Sequence, residues 1–156
     1  MVREIPIDRG PVDLADAGRL RLVIPNKMEA VGEANRTLER FLEDRKVPPD
    51  VSFSATLVLE EVTTNVIKYS YEDRKDHEIL VQAHLDKDCL VLSVTDDGRE
   101  FDPRRAASPD FEKPLEERPI GGLGIHLLRN LAERMDYQRL EGKNTLTVFL
   151  SLRPKD

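Results

Sequence analysis

The sequence predicts an α+β two-layer sandwich, a mixed and mostly antiparallel sheet with helices packed on one face. Three observations point there. Short alternating apolar runs bounded by turn residues read as strands, and longer stretches with apolar residues three and four apart read as amphipathic helices. Their order is strand, two helices, two strands, a long polar stretch, a helix and two strands, which suits helices gathered against one sheet. At 156 residues the chain fits one compact domain.

Residues 1–18, rich in Pro, Asp and Gly, read as an irregular arm before a single domain over 19–156. Leu20 to Ile24 is a short strand closed by Pro25, and Asn26 is placed to cap a helix over about 27–46. That helix puts Met28, Val31, Ala34, Leu38, Phe41 and Leu42 on one side. Pro48 and Pro49 break the chain, and Asp50 or Ser52 caps a second helix, roughly 51–70. Its core stripe is Ala55, Val58, Leu59, Val62 and Val66. His77 to Leu85 and Leu90 to Thr95 form a hairpin turning at Asp86-Lys87-Asp88. Asp96 to Ile120 carries Pro103, Pro109, Pro114 and Pro119, and a polar loop of that length is usually functional. A helix from Gly121 to about Met135 follows, then strands near 137–140 and 145–152 joined by Gly142-Lys143-Asn144.

Composition narrows the function. A net charge of -6 and a pI near 5.2 argue against direct nucleic-acid binding. One cysteine, Cys89, permits no intrachain disulfide, which suits a reducing compartment. The N-terminal stretch MVREIPIDRG lacks the apolar core of a signal peptide, and no run is long enough to cross a bilayer. The expectation is a cytoplasmic protein without membrane contact.

Three clusters carry chemistry. Glu61, Asn65, Lys68 and Tyr69 share a flank of the second helix beside its core stripe, not opposite it. An acid, an amide and a base at that rim suit Mg-nucleotide: an amide oxygen for a hard cation, an ammonium for phosphate, a carboxylate for a proton. Asp96-Asp97-Gly98 ends a strand, where an acid accepts a hydrogen bond from an exocyclic amine and Gly98 lets backbone approach a flat ring. Gly121-Gly122-Leu123-Gly124 opens a helix whose free N–H groups and dipole favour an anion. Taken alone, each cluster has an ordinary explanation: an i,i+4 polar pair, a capped turn, a glycine-rich helix start. In this order, within this succession of elements, they reinforce one another.

The strings LVLEEVTTNVIKYSY, VTDDGREFDP and RPIGGLGIHLLRNLAERMDY resemble the three nucleotide-binding boxes of the GHKL (Bergerat) ATPase superfamily. Within it the chain is most similar to the anti-sigma-factor serine kinases of the RsbW and SpoIIAB type, over about residues 20–152. The resemblance implies a histidine-kinase-like ATPase fold that binds ATP and Mg. It implies that Asn65 holds magnesium, Glu61 is the catalytic base, and Lys68 and Tyr69 contact the nucleotide. It places Asp96 on the adenine amine, Gly98 and Phe101 around the base, and Gly122 and Gly124 at the hinge of a lid over 103–120. Arg104, Arg105, Lys113 and Arg118 are the candidate lid cations. Relatives often have His where Tyr69 stands and Thr facing the adenine on the last strand. Alternation here turns Leu146 inward, leaving Thr147 as the weaker candidate contact.

Sensor histidine kinases usually carry Asn at the place of Glu61, and a serine nucleophile benefits more from a carboxylate base. His77, His84 and His126 read as surface or packing residues. The expected function is an ATP-dependent protein-serine kinase and anti-sigma regulator. Its partners would be a STAS-domain anti-anti-sigma protein, a sigma factor and a second copy of itself in a homodimer. The alternative is an ATP/ADP-responsive binding module in a partner-switching pathway with little phosphotransfer.

Overall fold

The computed structural model describes residues 2–4, 18–105 and 122–153. Among these, six strands form one sheet: β1 (Arg3–Glu4), β2 (Arg19–Pro25), β3 (Glu78–Asp86), β4 (Cys89–Asp96), β5 (Arg134–Leu140) and β6 (Lys143–Ser151). The order is β1-β2-β3-β4-β6-β5, and every neighbouring pair is antiparallel. The expectation of a mixed sheet gives way to a purely antiparallel one. The reason is connectivity: β3–β4 and β5–β6 are hairpins, and the helical excursions return their strands antiparallel to the neighbours they meet.

Three α-helices lie among the described residues, α1 (Glu29–Asp44), α2 (Pro49–Tyr69) and α3 (Gly122–Leu131), with a short 3-10 turn at Pro103–Arg105. Alternation sends Leu22, Ile24, Val81, Leu92 and Val148 to the helix side of the sheet, each no more than 1% exposed. Against them pack Leu38 and Leu42 of α1, Val58 and Leu59 of α2, and Leu128 of α3, in one continuous core. The expected α2 stripe is buried in full. Thr63, also buried there, satisfies its hydroxyl by donating to the Leu59 carbonyl at 2.6 Å.

Several local expectations are corrected. Asn26 caps nothing: its backbone N–H donates to the His77 carbonyl and its Oδ1 accepts the His77 N–H, both at 3.0 Å. It pins the chain before β3 to the end of β2. Helix α1 starts two residues later without a side-chain cap, leaving Met28 45% exposed. In α2, Pro49 supplies the start, and Asp50 sits in the first turn without capping. Residues 3 and 4, expected in the irregular arm, pair with β2. The last helix ends at Leu131 instead of near Met135, because Arg134 and Met135 already pair with β6. The final hairpin turns at Glu141 and Gly142, whose φ angles of 52° and 77° suit a two-residue turn matched to strand twist.

Candidate functional site

A cavity of about 200 Å³ opens between α2, the end of β4, α3 and the β5–β6 hairpin. On α2 it is lined by Val62, Asn65, Val66 and Tyr69, the i, i+3, i+4, i+7 row of one helix face. Val94, Leu146, Ile125 and Leu128 give it an apolar floor. Asp96, Asn144 and Tyr137 converge on one end, and Phe101 and Pro103 edge the same space. An apolar cleft with a few placed polar groups is the form a small-molecule site takes.

Asp96 ends β4 with inward parity and is only 6% exposed. Its Oδ1 accepts the Gly98 N–H at 2.9 Å and the Asn144 amide at 3.1 Å. Its Oδ2 accepts no hydrogen bond from a described residue. Burial pushes the Asp96 carboxyl above the usual range, opposed by those two donors. Gly98 is required by proximity: a Cβ there would lie 2.5 Å from Ser70 Cβ and 2.6 Å from the Ser70 carbonyl. The Arg99 N–H donates to that carbonyl at 2.9 Å, so the loop after β4 is clasped to the end of α2.

Asn144, on β6, is 5% exposed and was not singled out in the sequence. Its Nδ2 donates to Asp96 Oδ1 and, at 2.8 Å, to the Arg99 carbonyl. Its Oδ1 accepts from the Tyr137 hydroxyl and, at 2.9 Å, from Arg139 Nη1. The signal available was parity: Asn144, Leu146 and Val148 share one face of β6, and the other face carries Thr145 and Thr147. Thr147 pairs with Ser93 on the face away from the helices and does not line the cavity. That candidate is corrected by strand alternation.

At the other end, the Glu61 carboxylate lies against the Gly124 backbone, where a Cβ would collide with it and stand 3.7 Å from Asn65 Nδ2. Glu61, Asn65 and the first turn of α3 therefore meet at the cavity's rim. Gly122 is the first residue of α3. Lys68 is exposed and does not line the cavity. It lies off the row of α2 that does, so the four-residue flank expected from sequence is split. Arg104 forks onto Asp102, with Nε at 3.0 Å and Nη2 at 2.9 Å, and Arg105 lies 3.7 Å from the same carboxylate. Lys113, Arg118 and the rest of the expected lid lie outside the described residues, as does Gly121.

A brace stands behind the acid end. The His77 ring lies between two carboxylates, Asp73 at 2.7 Å and Asp97 at 3.0 Å, and stacks on Tyr71 with centroids 4.2 Å apart. The hydrogen bond to Asp73 raises the His77 pKa and lowers that of Asp73. Reading His77 as an ordinary surface residue missed this clamp, because Asp97 is distant in sequence.

An antiparallel sheet covered on one face, with an acid-ended cleft beneath a glycine-opened helix, defines an α+β sandwich with a small-molecule cleft. Residues 24–150 match the histidine kinase-like ATPase domain, and the chain belongs to that family. It is 28% identical over 96 residues to the serine/threonine-protein kinase BtrW of Bordetella bronchiseptica, covering 62% of this chain and 68% of that protein. It is 26% identical to the serine-protein kinase RsbW of Bacillus cereus, covering 82% of each. The fold is shared with the histidine kinase domain of a blue-light activated histidine kinase from Erythrobacter litoralis: TM-score 0.50, 17% identity, 83% of this chain and 62% of that one.

Proposed function

We propose that this protein is an ATP-dependent protein-serine kinase and anti-sigma regulator, acting on a serine of a STAS-domain anti-anti-sigma partner. The observation that carries the reading is the single cleft joining Asp96 at a strand end to Asn65 on α2, with Glu61 and Gly124 at its rim. The base lies at the acid end, its exocyclic amine donating to Asp96, with Gly98 and Phe101 beside the ring. The triphosphate runs toward Asn65 and the N-terminus of α3, where Gly122 and Gly124 leave backbone N–H groups accessible.

Among the described residues no group of three His, Cys, Asp or Glu side chains is placed to cage a metal ion. Asn65, half-buried on the cavity wall, would offer an amide oxygen to a magnesium ion that enters with the nucleotide. Magnesium held there would supply charge neutralisation on the phosphates. Glu61 accepts the proton of the partner's serine hydroxyl as its oxygen bonds to the γ-phosphorus and the bond to the β–γ bridging oxygen breaks, releasing ADP. Tyr69, at the end of the cavity-lining row of α2, contacts the nucleotide from its open side.

The relatives named as serine kinases support the activity. The anti-sigma role, the homodimer and a cytoplasmic setting belong to the same proposal. No described helix is long and apolar enough to cross a membrane. The test is incubation with γ-labelled ATP, magnesium and the cognate STAS protein. Label on a partner serine is the expected result. Tight ATP binding without label would replace the kinase with a nucleotide-responsive binding module.

A further inference from the structure

The Asp96 carboxylate is addressed asymmetrically. Both of its protein donors, the Gly98 N–H and the Asn144 amide, fall on Oδ1. Oδ2 is left as the acceptor for whatever enters the cleft. This asymmetry depends on which end of the Asn144 amide faces Asp96, and the surroundings dictate that end. Arg139 carries only donors, and its Nη1 lies 2.9 Å from Asn144 Oδ1. The backbone carbonyls of Arg99 and Gly98 only accept, and they lie 2.8 and 3.4 Å from Nδ2. A flipped amide would set nitrogen against guanidinium and oxygen against two carbonyls and a carboxylate. The Tyr137 hydroxyl donates to the same Oδ1.

We propose that Asn144 is a positioning residue that sets the preference for a 6-aminopurine by committing Asp96 Oδ1 and presenting Oδ2 alone to the base. A 6-amino group donates to Oδ2. A 6-oxo group sets oxygen against oxygen in a buried site, where an unmatched acceptor is costly. Asn144 also donates to the Arg99 carbonyl at 2.8 Å, in the loop that follows β4. Its loss therefore removes one of the two donors on the acid and loosens the loop beside the base, which keeps its Ser70 and Arg139 contacts. The inference rests on the reading that the acid end of the cleft takes the base of a nucleotide.

The test uses the full chain and compares calorimetric affinities for Mg-ATP and Mg-ITP, whose bases differ in the 6-substituent and, with it, in the proton on N1. In Asn144→Ala the ATP-over-ITP preference should fall about tenfold or more, with ATP losing most of the affinity. Tyr137→Phe keeps the ring and removes one of the donors that orient the amide. It should lower the same ratio by about two- to fivefold, and it decides the matter if Asn144→Ala does not fold. Equal losses for both nucleotides, or an unchanged ratio, would overturn the role given to Asn144. Wild-type protein that binds neither nucleotide would instead sink the reading of the cleft itself.

Discussion

The two ends of the cleft are built differently. At the acid end, Asp96 and Asn144 are 6% and 5% exposed, and a network ties them to Gly98, Arg99, Tyr137 and Arg139. The Asp73–His77–Asp97 clamp stiffens the chain just outside it. At the opposite end, the Glu61 and Asn65 side chains are half-buried and have no hydrogen-bond partner among the described residues. The acid end is thus preformed, whereas the Glu61–Asn65 end keeps its polar groups uncommitted; on the proposed function, the first would receive the base and the second the phosphates. Preformed donors and acceptors discriminate between ligands, and uncommitted ones serve the chemical step.

Substitutions at the two ends should therefore fail in different ways. The largest effect belongs to Glu61→Ala. Transfer to the partner serine should drop about 10²- to 10⁴-fold while ATP affinity is retained, as single-turnover labelling beside calorimetry would show. Asn65→Ala should next remove the magnesium-dependent part of ATP affinity, a loss of about a hundredfold that disappears when both proteins are titrated in EDTA. Asp96→Asn should weaken ATP by about ten- to a hundredfold, because its amide can turn a donor toward the purine amine.

The same acid predicts a pH profile. Burial raises the Asp96 pKa, and the ionised form is the one that accepts from the base. ATP affinity should accordingly fall on acidification, beginning above the ordinary Asp value of about 3.9, and Asp96→Asn should lose that dependence. The smallest effect is at the brace. A raised His77 pKa stabilises the fold fully below the ordinary histidine value, and the contribution is lost as pH rises through the folded one. The melting-temperature advantage of wild type over His77→Gln should shrink as pH rises above the ordinary histidine value of about 6.5. A constant gap would mean that the ring acts by stacking on Tyr71 alone.

The contrast also separates what was legible in the sequence from what was not. Alternation marked β2, β3, β4 and the inward face of β6, and helical spacing marked the buried stripe of α2, because burial writes its period into the chain. Asp96, Asn65 and Gly124 stood in local strings that name their surroundings. Asn144 did not: its role comes from Arg139 across the hairpin and from Asp96 on the adjoining strand. The His77 clamp depends likewise on Asp97, just past the end of the neighbouring strand β4. Asn26 looked like a helix cap because capping is the commonest local use of asparagine beside a helix. A partner about fifty residues away claimed its side chain instead. Lys68 and Tyr69 are neighbours in sequence, but Tyr69 falls on the Val62–Asn65–Val66 row that lines the cleft and Lys68 does not.

The central claim is that one ligand spans both ends of this cleft, and amide NMR on a Mg-ATP titration tests it most directly. The N–H signals of Gly98 and Arg99 should shift together with those of Asn65 and Gly124, saturating at one common concentration, while Thr147 on the far face of the sheet stays still. Shifts confined to one end, or two ends saturating at different concentrations, would contradict it.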